Sequence, residues 1–239
     1  MDSLLLLLGL MGIASVTTFF AKGNAYVALA VAWTAAFLGY GRVVEHLSWA
    51  DMGMTRWLHG IVWGGACILI VSIGMALGVA IPRLRPLFAD ERLSSASASQ
   101  IAHKTLVEVP LGTVLLEEVI FRGVLMGLLT TMYGTVWGIV GSSIVFGFWH
   151  ILPALEMHGN HALTAGDSSW WGKVRTVALT VLGTSLAGIV FALLRWGSGC
   201  ILAPMGYHWA TNSTGSIATW LIGQRANGGP EADAEKDAS

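Results

Sequence analysis

Seven apolar stretches separated by polar breaks take up nearly all of the 239 residues. They run Leu4–Phe20, Ala25–Gly41, Ile61–Ile81, Thr105–Thr131, Trp137–Leu155, Thr176–Leu194 and Cys200–Ile222. Each has, or nearly has, the roughly 20 residues that a helix needs to cross a hydrocarbon core. None shows the alternation of a half-buried strand, and in lipid a spanning segment must satisfy its own backbone. The pattern predicts an all-α polytopic transmembrane helix bundle of about seven spans. An eighth is added if the fourth span is preceded by a short membrane-dipping helix. Residues 1–222 then form a single polytopic membrane domain. Residues 223–239 are polar and acidic (Glu231, Asp233, Glu235, Asp237) and are expected to be a disordered tail.

Composition agrees with this reading. Hydrophobic residues make up 54% of the chain and charged residues only 11%, against about 25% in soluble domains. The first stretch lacks the basic flank and small-residue cleavage site of a secretory signal and is read as a span. No repeat of fixed period is visible, and the 30 glycines suit close helix packing in a bilayer. Cys67 and Cys200 lie in or beside apolar segments and are read as small hydrophobes rather than a disulfide or metal pair. A net charge of −1 and a pI near 6.6 argue against nucleic acid as a partner.

Basic residues orient the bundle. One side collects Lys22, Arg83, Arg85, Arg92, Lys104, Lys173, Arg175, Arg225 and Lys236, the other only Arg42, Arg56 and Arg195. The C-terminus is therefore expected in the cytoplasm and the N-terminus outside. The polar connection holding Arg42, Glu45, His46, Asp51 and Arg56 reads as solvated, and so does the pair His158 and His161. Trp170 and Trp171 read as anchors at the headgroup level.

The chemistry is concentrated in Leu115-Leu116-Glu117-Glu118-Val119-Ile120-Phe121-Arg122. Each charge at membrane depth costs about 2.5–3.5 kcal/mol on insertion scales, so three within a turn and a half mark a functional site. Residues four apart share a helix face, so Glu118 can pair with Arg122. Glu117, rotated by about 100°, is left without an intrahelical partner. The fifth span adds His150, one turn after Phe146, and the seventh adds His208 and Asn212, also one turn apart. At about 1.5 Å per residue, Glu117, His150 and His208 all fall within one or two turns of the midplane. With Asn212 they are expected to converge in one cavity. Glu108 could face that site or only its mouth.

Such a set suits hydrolysis. A carboxylate can act as general base on water, one imidazole can orient that water or bind a metal, and the other can join the amide in stabilising an oxyanion. Ser142, Ser143 and Cys200 are read as packing residues, which leaves no credible covalent nucleophile.

Glu117-Glu118-x-x-x-Arg122, Phe146-x-x-x-His150 and His208-x-x-x-Asn212 resemble the motifs of the CAAX protease and bacteriocin-processing (CPBP, Abi) family of intramembrane proteases. The resemblance covers roughly residues 105–222. It implies an intramembrane endopeptidase acting on a peptide or membrane-protein substrate in the lipid bilayer of the cell membrane. In this family the residues matching Glu117 and His150 activate water, and those matching His208 and Asn212 stabilise the oxyanion. Both a metal-free glutamate mechanism and a metallopeptidase mechanism are proposed for the family, and His150, His208 and Glu117 could hold zinc (Zn2+). Two readings of another class stand beside the enzyme. The same fold can serve as a non-catalytic membrane partner or scaffold, in immunity or regulation. A small transporter also uses buried carboxylates, but here no pair of interrupted helices occupies matching positions.

Overall fold

Each apolar stretch folds as a helix, and the order along the chain fixes which ends meet. The computed structural model describes residues 2–88, 93, 95–158 and 169–227. Its bundle consists of α1 (Asp2–Phe20), α2 (Gly23–Gly39, continued by a π-helical turn, Tyr40–Val44) and α3 (Trp57–Ala80), followed by α4 (98–133) and α5 (Thr135–Trp149). The short α6 (Ile151–His158) continues α5 after a break at His150, and α7 (Trp170–Ser198) and α8 (Leu202–Asn227) complete it. Among the described residues there is no strand, only an isolated bridge between Met54 and Cys200.

Two ends can be told apart. At one, the α1–α2 and α3–α4 connections meet the end of α6 and the C-terminal part of α8. Lys22 lies 3.9 Å from Glu156 there, and Trp220 Nε1 donates to the Ala96 carbonyl at 2.9 Å. We call this the tail end. At the other, the α2–α3 loop meets the α7–α8 turn, with Ile201 N donating to the Gly53 carbonyl at 2.9 Å.

α1, α2, α3, the α5–α6 rod and α7 are long and apolar enough to cross a membrane. α4 and α8 are not among those helices, for a physical reason. α4 carries Lys104, Glu108, Glu117, Glu118 and Arg122, and α8 is rich in Thr, Ser and Asn. Both are tolerated because they are the inner helices: every residue of α4 from Leu116 to Leu129 is buried. The fourth span is longer than the sequence indicates. It starts at a capping box, in which Ser97 Oγ accepts from Gln100 N while Ser97 N donates to the Gln100 side chain. A 3-10 segment, Pro82–Phe88, follows α3, and most of residues 89–94, where a short dipping helix before the fourth span is expected, lies outside the described residues.

α4 is not a uniform α-helix. Lys104–Val114 and Val119–Leu125 are π-helical, flanking the α-turn Leu115–Glu118. Pro110 has no N–H to return to Thr105, five residues back. The Thr105 carbonyl accepts instead from Trp209 Nε1 at 2.9 Å and Ser213 Oγ at 3.3 Å, so a backbone defect in α4 is repaired by α8. α8 and α3 touch at glycines. A Cβ on Gly206 would lie 2.6 Å from the Gly64 carbonyl oxygen and 2.7 Å from its Cα.

Three polar segments depart from the sequence reading. The 45–56 loop is a packed cap, with Leu47 and Met52 buried. Arg195 donates to the Ala50 and Asp51 carbonyls, and Arg42 donates to the Leu47 carbonyl while lying 5.1 Å over Trp49. His158 is buried and bonded to Thr176 Oγ1 at 2.8 Å, because α6 folds back against α7; its expected partner His161 lies outside the described residues. α8 continues past Ile222 to Asn227, into the segment expected as tail, and residues 228–239 lie outside the description. Trp170 and Trp171 stand exposed at the start of α7, as anchors would. Cys200 is buried, Cys67 half-buried, and neither forms a disulfide.

Two stability outcomes follow. Gly206→Val should cost about 1–3 kcal/mol by overpacking the α3–α8 contact and lower the melting temperature in detergent, whereas Gly65→Val, with open space around it, should not. Bonds from the Ser48 hydroxyl and backbone N–H, aided by Arg195, hold the Asp51 carboxyl below its usual range. A depressed folded-state pKa stabilises above the unfolded value of about 3.9 and is lost as pH falls through the folded value. The melting difference between wild type and Asp51→Asn should therefore shrink on acidification below about pH 4.

Candidate active site

Glu117 and Glu118 are consecutive on α4, and their side chains go to different places. Glu118 points toward α7 and α8, where it is fully buried. Its Oε1 accepts from Arg122 Nη1 at 3.3 Å and from His208 Nδ1 at 2.8 Å. Arg122, also fully buried, donates its other terminal nitrogen to the Gly188 carbonyl on α7 at 3.3 Å. Its guanidinium carbon lies 4.1 Å from the Phe146 ring centre and 4.7 Å from that of Phe191. Aromatic faces and a carbonyl thus replace part of the hydration that a buried guanidinium loses.

Phe191 also stacks on the His208 ring, with centres 4.9 Å apart and planes at 29°. Because Glu118 is an acceptor, the bond at Nδ1 makes that nitrogen the protonated one and leaves Nε2 for chemistry. Nε2 faces Glu117, 3.8 Å from Oε2, too far for a direct hydrogen bond. Glu117 Oε2 is buried and has no hydrogen-bond partner, while Oε1 accepts from Trp149 Nε1 at 3.1 Å.

Glu117 lies at the wall of a cavity of about 490 Å³ bounded by α1, α2, α4 and the α5–α6 rod. Ser15, Thr18, Tyr26, Thr113 and Trp149 line it further, and Lys22, Lys104, Glu108 and Glu156 place its mouth at the tail end. Glu108 therefore belongs to the cavity, 3.7 Å from His103.

The six residues singled out from sequence do not all converge. Glu117, Glu118, Arg122 and His208 form one connected group. His150 caps α5 at the break, bonded through Nδ1 to the Phe146 carbonyl at 2.8 Å. Its ring is 4.6 Å from that of Phe146, which is itself 6.2 Å from His208. Asn212 is half-buried one turn beyond His208 and makes no side-chain hydrogen bond among the described residues. Of the six, Glu117 alone lines the cavity, so the expected single pocket is corrected to a cavity with its polar support packed behind it. Trp149, Phe191 and Tyr26 were not found from sequence; an apolar aromatic within a span carries no signal that separates packing from hydrogen bonding.

The donor set for zinc is incomplete. Among the described residues no three His, Cys, Asp or Glu side chains gather to hold an ion. Of His150, His208 and Glu117, only the last two approach each other. The arrangement does not fit a three-residue zinc centre, and the chemistry below is derived from the side chains alone.

Removing one partner of a buried ion pair strands the other charge and costs about 3–5 kcal/mol. Arg122→Met should therefore lower the melting temperature in detergent far more than Arg42→Met on the capping loop. Arg122→Lys should recover only part of the loss, since it keeps the charge without the fork.

Residues 102–214 match the family model described as Type II CAAX prenyl endopeptidase Rce1-like. No curated protein and no solved structure matches the chain. The matched segment begins in α4 and ends two residues after Asn212, so it contains the Glu-Glu pair, Arg122, His150, His208 and Asn212. Over that segment, a little under half of the chain, the sequence is similar to the CAAX-type endopeptidase family.

Proposed function

We propose that this protein is an intramembrane endopeptidase that hydrolyses a membrane-associated peptide or protein with water activated at Glu117. One observation carries the reading. Glu117 offers a buried, unpartnered oxygen toward a histidine nitrogen whose tautomer is set by Glu118. Glu117 would take a proton from water as its oxygen attacks the scissile carbonyl carbon. It would return that proton to the amine nitrogen as the C–N bond breaks. Asn212 is assigned to the oxyanion together with His208, which serves there once its Nε2 also carries a proton, and His150 to orientation of the water; Glu118 and Arg122 hold His208 in place.

The nucleophiles singled out from the sequence are engaged or remote. The Ser142 and Ser143 hydroxyls donate to the Gly138 and Ile139 carbonyls of their own helix, each at 2.6 Å, and Cys200 is buried at the far end of the bundle. Orientation follows the basic residues: the tail end, where the cavity opens, is assigned to the cytoplasm. Reporter fusions after Asn227 and within the 45–56 loop should report opposite compartments, and a cytoplasmic loop would overturn this orientation.

Glu117→Gln tests the chemistry. Loss of a general base should reduce turnover by about 10²–10⁴-fold while leaving expression intact. In a comparison of membrane proteomes, at least one protein should accumulate uncut in the variant. Unchanged termini throughout would transfer the assignment to a non-catalytic membrane partner.

A further inference from the structure

We infer that Trp149 is a positioning residue for the proposed base: it holds Glu117 by one carboxylate oxygen so that the other faces His208. The inference rests on the protease reading for its catalytic meaning and on geometry for its existence. Trp149 is the last residue of α5, directly before the break at His150. Its indole Nε1 donates to Glu117 Oε1 at 3.1 Å across 32 residues of sequence. Its ring is set edge-on against Phe121 of α4, with centres 5.5 Å apart and planes at 82°, so the indole is held where its N–H reaches the carboxylate. It also lines the cavity beside Glu117.

The consequence is a division of labour between the two oxygens. A carboxylate beside a cavity can rotate and offer either oxygen to water. With Oε1 bonded to the indole, rotation is restrained, and Oε2 is left 3.8 Å from His208 Nε2. Trp is apt for this duty in a span, because its body is apolar and its one polar group is a donor. A packing residue would need no such bond: Phe146, one turn earlier on α5, fills its place through ring contacts alone.

The test uses full-length protein in detergent micelles and two readouts. The first is an NMR spectrum of protein labelled with nitrogen-15 in its 11 tryptophans. Trp149→Phe identifies the Trp149 indole cross-peak by deleting it. Glu117→Gln should then move that peak further than any other, and an unmoved peak overturns the inference. The second is turnover of an internally quenched, S-prenylated CAAX peptide, the class named in the family description, beside a quenched library of unmodified peptides. Trp149→Phe keeps an aromatic ring and removes the N–H. It should lower kcat roughly 10- to 100-fold with KM within about threefold, the scale expected when a supporting partner of a reactive group is lost. Unchanged kcat, or a loss confined to melting temperature or KM, overturns the positioning role. Should the wild type cleave neither substrate, the protease reading fails, while the displacement of the indole peak still decides whether Trp149 holds Glu117.

Discussion

The carboxylate of Glu118 holds the interior together. It is fully buried, where a charge needs an opposite charge beside it. One oxygen meets both Arg122 and His208, which joins α4 to α8, and Arg122 continues the link to α7 through the Gly188 carbonyl. The aromatic rings of Phe146 and Phe191 close over the guanidinium, bringing α5 and α7 against the same point. Four helices are thus positioned by one ion pair and its surroundings. The orientation of His208 follows from its bond to Glu118.

That requirement also explains why the most polar helix lies innermost. A helix with five charged residues cannot face lipid, so the apolar helices surround it. Its π-helical turns loosen the backbone register, and the freed acceptors are met from outside α4. Trp209 and Ser213 reach the Thr105 carbonyl, and Arg195 Nε reaches the Arg122 carbonyl at 3.3 Å. Each repair is a further tether between α4 and its neighbours. The second irregular stretch, Val119–Leu125, is buried in protein throughout, as the lack of water requires.

Hydrophobic spacing made the helical bundle legible, because lipid allows few solutions. The Glu118–Arg122 pair was equally legible from its four-residue separation. Other features depended on tertiary contact. Nothing in Arg42-to-Arg56 distinguishes a solvated loop from a packed cap, since Arg195, which anchors the cap, is about 140 residues away in sequence. The π-helical turns leave the hydrophobic pattern nearly unchanged, and Pro110 marks only one of them. The shared cavity failed as an expectation because depth in the bilayer says nothing about rotation. His208 lies at the right level, yet it turns toward Glu118 and stands behind Glu117.

Charge bookkeeping separates the two glutamates further. Glu118 is paired with Arg122, whereas the hydrogen bond of the Glu117 side chain is to the neutral indole of Trp149. Glu118 fixes a proton on Nδ1 and leaves His208 Nε2 facing Glu117 Oε2. The 3.8 Å gap between those atoms is wider than a hydrogen bond. Adjacent glutamates on one helix turn can therefore serve opposite ends: Glu118 joins α4 to α8, and Glu117 faces the cavity.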